Sequence, residues 1–426
     1  MTGPMTRRGS LRIVRLANFV TPASGGLRTA LRELGAGYRA AGHEPVLVIP
    51  GERERDELTA QGRVITLPGP LVPGSGGYRV LTDRRRLARL LEGLAPDRLE
   101  VSDRTTLRWT GEWARRVRVP ALMVSHESVD GVLGTWGVPE GAARQAADRL
   151  NRRTARAYSR VVCTTAWAER EFTRIGARNI VRAPLGVDLD GRSPERRSAS
   201  LRDLYAAPGD VLLVLCSRLS VEKGPGTALD ALAVLRRRGV RAVLVVAGDG
   251  PLRARLAERA RAERLPVTFL GHVAELADVA AHQATADICL APGPVETFGL
   301  AALEAMACGT PVVANAGSAL PAIVGTGGAV APGEGAAFAD AVQRLLARPE
   351  QDRRAAARAR AERFGWSEAV EAFLAAHGAD ASVSRENEGD VAPRVEDRTT
   401  VVRGAARVPA PRATTEGRAG AGGAAA

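Results

Sequence analysis

The chain has 426 residues, 45% hydrophobic and 25% charged, so two domains with sizeable cores are expected and a wholly disordered chain is excluded. No apolar run approaches the ~20 residues that span a bilayer, and Arg7, Arg8, Arg12 and Arg15 interrupt any apolar core of a secretory leader. Net charge is +13, from 60 basic against 47 acidic residues, which suits phosphorylated small molecules or anionic lipid; the 4% aromatic content, without aromatic–basic interleaving, argues against a base-stacking nucleic-acid platform.

Short β-branched runs alternate with amphipathic stretches, the pattern of α/β domains with parallel sheets. In the first half, strands are expected at 12–16, 45–49, 63–66, 98–102, 121–125 and 160–163. Helices are expected at 26–41, 81–94, 107–118, 140–157 and 167–175. A segment rich in Pro, Gly and polar residues at 186–209 breaks the alternation and reads as an interdomain connector.

The alternation then restarts, with strands at 211–216, 242–247, 267–270, 288–291 and 311–314. Helices follow at 226–237, 252–263, 275–283, 299–307, 334–346, 350–364 and 367–376. The expected architecture is two Rossmann-like doubly wound α/β domains facing a cleft. They occupy residues 11–185 and 210–378, after a flexible N-terminus at 1–10; the last helix is a candidate to cross back to the first domain. From residue 379 the chain is rich in Gly, Ala, Pro and Arg without periodicity and is expected to be disordered. Ligands of such sheets bind beyond the carboxyl ends of the strands.

Several chemistries drop out. The four cysteines, Cys163, Cys216, Cys289 and Cys308, sit in apolar contexts with no CxxC spacing and read as small buried hydrophobes in a reducing compartment. The nearest dinucleotide fingerprint, Gly248-Asp249-Gly250, lacks its third glycine, and no GxxxxGK[ST] occurs. Asp188-Leu189-Asp190 has metal-site spacing but lies in the connector, away from any phosphate-binding loop, so no metal is expected.

Three strand-end pieces instead face phosphate. Gly25-Gly26 precedes the first helix, where missing side chains let a ligand approach backbone N–H groups. The run from Ser217 to Gly224 follows an apolar strand and carries Arg218 and Lys223, a planar fork and a point charge able to neutralise a diphosphate. Lys223 is the single lysine among the 60 basic residues, which marks its position. The third piece runs from Pro292 to Ala307: the N–H groups of Phe298, Gly299 and Leu300 open a helix, Glu304 lies one turn further, and Glu296 precedes it. Glu304 can take vicinal hydroxyls of a ribose and Glu296 those of a sugar; a carboxylate among Ala, Leu and Met is costly to bury without such partners.

Together these pieces resemble the retaining glycosyltransferases of family 4, over residues 11 to 378, through Glu296/Glu304, Arg218/Lys223, Gly25-Gly26 and Gly271. The segments ANFVTPASGGLRTAL, DRLEVSDRTTLR and LMVSHES are most similar to mannosyltransferases that elongate phosphatidylinositol mannosides from GDP-mannose. The resemblance implies the GT-B fold, a nucleotide-sugar donor in place of any cofactor, and a lipid-linked or other hydroxyl acceptor. It implies that Arg218 and Lys223 bind the diphosphate, Glu304 the ribose and Glu296 the donor sugar. Phe298, Gly299 and Leu300 would supply backbone donors, and Gly25 and Gly26 would line the cleft. His126 is implied beside the transferred sugar, with Asp103 and Arg104 as acceptor-side candidates; Glu275 is the carboxylate available to a guanine.

Arg84–Arg86 and the arginines at 115, 116 and 118 suit peripheral contact with an anionic membrane face, so the expected location is cytoplasmic, at the inner leaflet. A UDP-sugar donor or a soluble acceptor remains an alternative, as does a non-catalytic nucleotide-sugar binding module. A UDP-sugar epimerase is disfavoured by the paired glutamates.

Overall fold

The computed structural model describes residues 9–20, 25–72 and 77–379. Most of the expected segment 1–10 and all but Ala379 of the expected tail therefore lie outside the described residues.

The first half builds an eight-stranded sheet from β1 (Arg12–Leu16), β2 (Glu44–Gly51), β3 (Arg55–Thr59), β4 (Gly62–Pro68), β5 (Arg98–Val101), β6 (Ala121–Ser125), β7 (Arg160–Cys163) and β8 (Ile180–Arg182). Its order is β3-β4-β2-β1-β5-β6-β7-β8, parallel throughout except that β3 runs antiparallel to β4. The sequence pattern does not reveal β3 because RDELT has no alternation and a single apolar residue, Leu58. It pairs as a charged edge, where Arg63 meets Asp56 at 2.6 Å.

The second half builds a six-stranded parallel sheet from β9 (Val211–Cys216), β10 (Ala242–Ala247), β11 (Val267–Gly271), β12 (Ile288–Ala291), β13 (Val312–Asn315) and β14 (Gly328–Ala331), in the order β11-β10-β9-β12-β13-β14. Central β9, VLLVLC, is apolar throughout because helices cover both faces of a parallel sheet. Strand order reverses between β1 and β5 and again between β9 and β12, which opens a crevice at each set of carboxyl ends.

Two segments join the halves. The connector is more ordered than its composition suggests, with a helical turn at Pro194–Arg196 and a helix at Ala199–Tyr205, each capped by a serine hydroxyl. The last helix, Trp366–His377, returns to the first sheet and packs on the helix Gly26–Ala40 so closely that a Cβ on Gly37 would fall 2.2 Å from Val370 Cγ2. Its end is held by Arg98 Nε, which donates to the His377 carbonyl at 2.7 Å.

A buried polar cluster completes that docking. Glu100 Oε1 accepts from Arg15 Nε at 2.8 Å, and Glu100 Oε2 accepts from the Tyr38 hydroxyl at 2.8 Å and lies 3.1 Å from His377 Nε2. Burial works against the Glu100 charge, yet the Arg15 guanidinium and the His377 and Arg15 hydrogen bonds hold its carboxyl well below the usual range. One apolar core runs through both halves, from Ile13 and Leu34 to Leu303 and Phe373.

Candidate active site

After β9 the chain makes one helical turn at Val221–Lys223 and enters the helix Pro225–Arg237. That turn brings Lys223 Nζ to 2.5 Å from Glu296 Oε1, a residue 73 positions away on the loop after β12. Burial opposes the ammonium charge, but the Glu296 carboxylate, with Glu222 and Tyr78, raises Lys223 above its ordinary value. The guanidinium of Arg218 stacks 4.5 Å from the ring centre of Tyr78, which comes from the first half and itself meets Phe19 edge to face at 5.9 Å.

The loop after β12 ends at Gly299, whose φ of 84° turns the backbone into the helix Leu300–Ala307. Phe298 is buried with its ring 6.1 Å from Phe364, so only its backbone is available to a ligand. Gly26 abuts this helix start: an added Cβ would lie 3.5 Å from Leu300 Cδ1. Gly25 precedes it as the N-terminal cap, with open space around its Cα. The two glycines and the three candidate amide residues thus lie on opposite sides of one seam.

Thr297 stitches that seam. Its hydroxyl donates to the His126 carbonyl oxygen at 2.6 Å, and its own carbonyl accepts from the Thr165 hydroxyl at 2.8 Å. His126 follows β6, with Nε2 3.2 Å from Ser102 Oγ, and burial lowers its imidazole to about 4, so the ring is neutral at physiological pH. Beside it, burial pushes the Glu127 carboxyl up to about 7; Arg104 pulls it down, and Asp103 and Glu171 add to the rise.

Glu304 lies on the inner side of the helix Leu300–Ala307 and borders a cavity of about 210 Å³ with Thr29, Arg32, Asp188, Arg192 and Leu276. Burial raises its carboxyl, against the pull of Arg192 and Arg32. The partner is Arg192 of the connector, with Nη2 3.5 Å from Glu304 Oε1.

Asp103, Arg104 and Glu275 complete the expected positions. Asp103 and Arg104, the acceptor-side candidates, are buried, and side chains and backbone of the protein itself meet their polar atoms. Asp103 accepts from Asn18 Nδ2 at 2.8 Å and from the N–H and hydroxyl of both Thr105 and Thr106. Arg104 donates to Asn151 at 2.8 Å, Ser125 at 2.6 Å, Glu171 at 3.1 Å and the Glu127 carbonyl. They brace the strand ends from which His126 and Glu127 project. Glu275 is exposed where the helix Leu276–Thr285 begins, next to Leu276 and Ala277 of the cavity.

Asp188 Oδ1 accepts from the N–H groups of Asp190 and Gly191, so it shapes a turn of the connector. Among the described residues no group of three or more His, Cys, Asp or Glu side chains has metal-binding geometry.

Tyr78, Thr297, Arg192 and Glu127 were not singled out from the sequence. Glu127 had a local signal, its place beside His126 at a strand end. The other three act through partners far along the chain.

Two domains built mainly of parallel strands, joined at a seam where Thr297 meets His126 and Arg218 meets Tyr78, have the GT-B architecture of glycosyltransferases. Residues 210–348 match the family described as "Glycosyl transferases group 1", and residues 25–186 match the "Glycosyl transferase 4-like domain". The chain belongs to the family 4 glycosyltransferases.

It is 50% identical over 377 residues, 88% of this chain and 98% of the relative, to a GDP-mannose-dependent alpha-(1-6)-phosphatidylinositol dimannoside mannosyltransferase of Mycobacterium tuberculosis (strain ATCC 25177 / H37Ra). It is 28% identical over 312 residues, 71% of this chain and 79% of the relative, to a GDP-mannose-dependent alpha-mannosyltransferase of Mycolicibacterium smegmatis. Among solved structures, the sucrose-phosphate synthase of Thermosynechococcus elongatus shares the fold with a TM-score of 0.70 at 23% identity, over 85% of this chain and 97% of that one.

Proposed function

We propose that this enzyme transfers mannose from GDP-mannose to a hydroxyl of a phosphatidylinositol mannoside-type glycolipid, with retention of anomeric configuration. The observation that carries the reading is the 50% identity, over 98% of its length, to the mycobacterial dimannoside mannosyltransferase. The seam supplies matching chemistry. Arg218, Lys223 and the N–H groups of Phe298, Gly299 and Leu300 hold the donor diphosphate, while Gly25 and Gly26 leave room for it. Glu296 takes hydroxyls of the mannose, Glu304 takes the ribose diol, and Glu275 takes the N1–H and N2–H edge of guanine. His126, as a neutral ring, hydrogen-bonds the transferred sugar.

In the transfer, the bond from the anomeric carbon to the β-phosphate oxygen breaks and negative charge builds on the departing GDP. The two cations and the helix-start amides stabilise that charge as it develops. The acceptor hydroxyl attacks the same face of the sugar, and its proton passes to the departing phosphate oxygen. The Lys223–Glu296 contact, 2.5 Å long, orients both groups before donor arrives, so neither must be ordered at the moment of binding.

Peripheral contact with the inner membrane leaflet suits a lipid acceptor. Among the described residues no helix is long and apolar enough to cross a membrane. Arg84 and Arg85 are exposed, whereas Arg86 pairs with Glu54 at 2.5 Å. Trp136 stands 71% exposed after the helix Val129–Thr135, which bears on the Glu296 loop: a Cβ on Gly131 would fall 2.8 Å from Val295 Cγ1. Flotation with anionic and neutral liposomes tests the contact; binding that ignores anionic lipid removes it.

A thermal-shift screen of nucleotide sugars, followed by assay of radiolabelled GDP-mannose with lipid extract and with soluble acceptors, tests the main reading. Stabilisation by GDP-mannose and label in the lipid fraction are expected. Preference for a UDP-sugar, or label only in soluble product, overturns it.

A further inference from the structure

Arg192 belongs to the connector, yet it is among the most enclosed charged side chains of the protein, with 5% of its surface exposed. Its Nη2 lies 3.5 Å from Glu304 Oε1, and its Nη1 donates to Gln283 Oε1 at 3.1 Å. Gln283 is fully buried and passes the chain on, its Nε2 donating to the Ala301 carbonyl at 3.1 Å, on the same helix as Glu304. The Arg192 backbone is fixed too: its N–H donates to the Asp188 carbonyl at 3.1 Å, and its carbonyl accepts from Arg358 Nη1 at 2.8 Å. Guanidinium, amide and carboxylate therefore form one braced unit at the wall of the cavity of about 210 Å³.

We infer that Arg192 is a positioning residue for nucleotide binding, holding the Glu304 carboxylate in the aim that a ribose diol requires. The inference rests on the reading of Glu304 as the ribose-binding group. At 3.5 Å the contact is an ion pair longer than a formed hydrogen bond, so Glu304 keeps acceptor capacity for incoming hydroxyls. A carboxylate accepts two hydroxyl protons only while ionised.

The surroundings decide whether it is. Burial raises the Glu304 carboxyl, Arg192 of the connector and Arg32 of the first helix lower it, and Asp188 raises it. Glu33 and Arg196 line the same cavity, and the thiols of Cys216, Cys289 and Cys308, each pushed up by burial, lie near it. Arg192 is the strongest of the opposing charges. A connector residue thereby bears on the charge proposed to receive the nucleoside.

The test measures GDP affinity by calorimetry from pH 5 to pH 8 for the intact chain, Arg192→Gln, Arg192→Lys and Glu304→Gln. Affinity in the parent is expected to fall as Glu304 takes up its proton at the acid end. In Arg192→Gln that inflection moves up by about one pH unit or more, because an opposing charge is gone, and GDP binds about tenfold more weakly at pH 7. Arg192→Lys keeps the charge but not the fork, so the parental inflection is expected with affinity about threefold lower throughout. Glu304→Gln weakens GDP binding and abolishes the inflection.

An unmoved inflection in Arg192→Gln, with Glu304→Gln still weakening GDP, overturns the inference and leaves the ribose assignment standing. Parental GDP affinity in Glu304→Gln overturns the assignment itself. Should Arg192→Gln not fold, parental affinity in Arg192→Lys overturns the claim that the fork aims Glu304.

Discussion

The Thr297 hydroxyl donates to the His126 carbonyl oxygen across 2.6 Å, and the two residues stand 171 positions apart, one in each half of the chain. Because Thr297 adjoins Glu296 and Phe298, this bond sets the acidic loop against the strand end that carries His126. The proposed sugar site is thus assembled by a contact between domains, with Thr165 holding the same loop from a second side at 2.8 Å.

His126 is expected to act as a neutral hydrogen-bonding ring. Burial takes its value from 6.5 down to about 4, so as pH falls below 6.5 the unfolded chain binds this proton first, and the stability contributed here declines towards pH 4. Imidazole titration by NMR should give a midpoint near 4; a midpoint near 6.5 would mean a solvated ring and a different role.

Lys223→Ala should cut turnover about a hundredfold, corresponding to ~3 kcal/mol of lost transition-state stabilisation. Folding should be retained, because both members of the Lys223–Glu296 pair are partly solvent-exposed. Turnover of radiolabelled donor beside a melting curve checks both halves of the claim; turnover like the parent's removes Lys223 from the diphosphate clamp.

Glu127 should impose a titration on stability. Burial lifts its carboxyl from 4.5 to about 7, so the folded protein holds this proton more tightly than the unfolded chain, and this group's contribution to stability falls as pH rises between those values. Unfolding free energy measured from pH 4.5 to pH 7 is expected to carry this decline, and Glu127→Gln should remove it. A decline surviving the substitution assigns it to another group.

Glu100→Gln should unfasten the last helix from the first sheet. Removing one partner of the buried pair leaves Arg15 uncompensated, a loss of about 3–5 kcal/mol. Because the folded value of Glu100 lies below its ordinary 4.5, its stabilisation is complete above that pH and is lost as pH falls further. Chemical denaturation between pH 7 and pH 3 should show a steep acid slope in the parent and a shallower one in Glu100→Gln.

The elements whose signals are local were legible in the amino-acid order: the apolar strands such as VLLVLC, the segments that follow them, and the glutamates and lone lysine those segments carry. Apolar periodicity and strand-end position are properties of neighbouring residues, so Lys223, Glu296 and Glu304 could be proposed without tertiary information. The edge strand RDELT was invisible for the converse reason, since its pairing with β4 and not its own composition makes it a strand.

Tertiary structure alone decided which charged residues serve the seam and which brace it. Asp103 and Arg104 end a strand as an exposed site residue would, but Asn18, Asn151 and Glu171 enclose them. Arg192, in a segment composed like a linker, lies against Glu304, and His377 reaches Glu100 across 277 positions. Burial and Coulomb energy depend on distance in space, and the chain sets that distance only after it has folded.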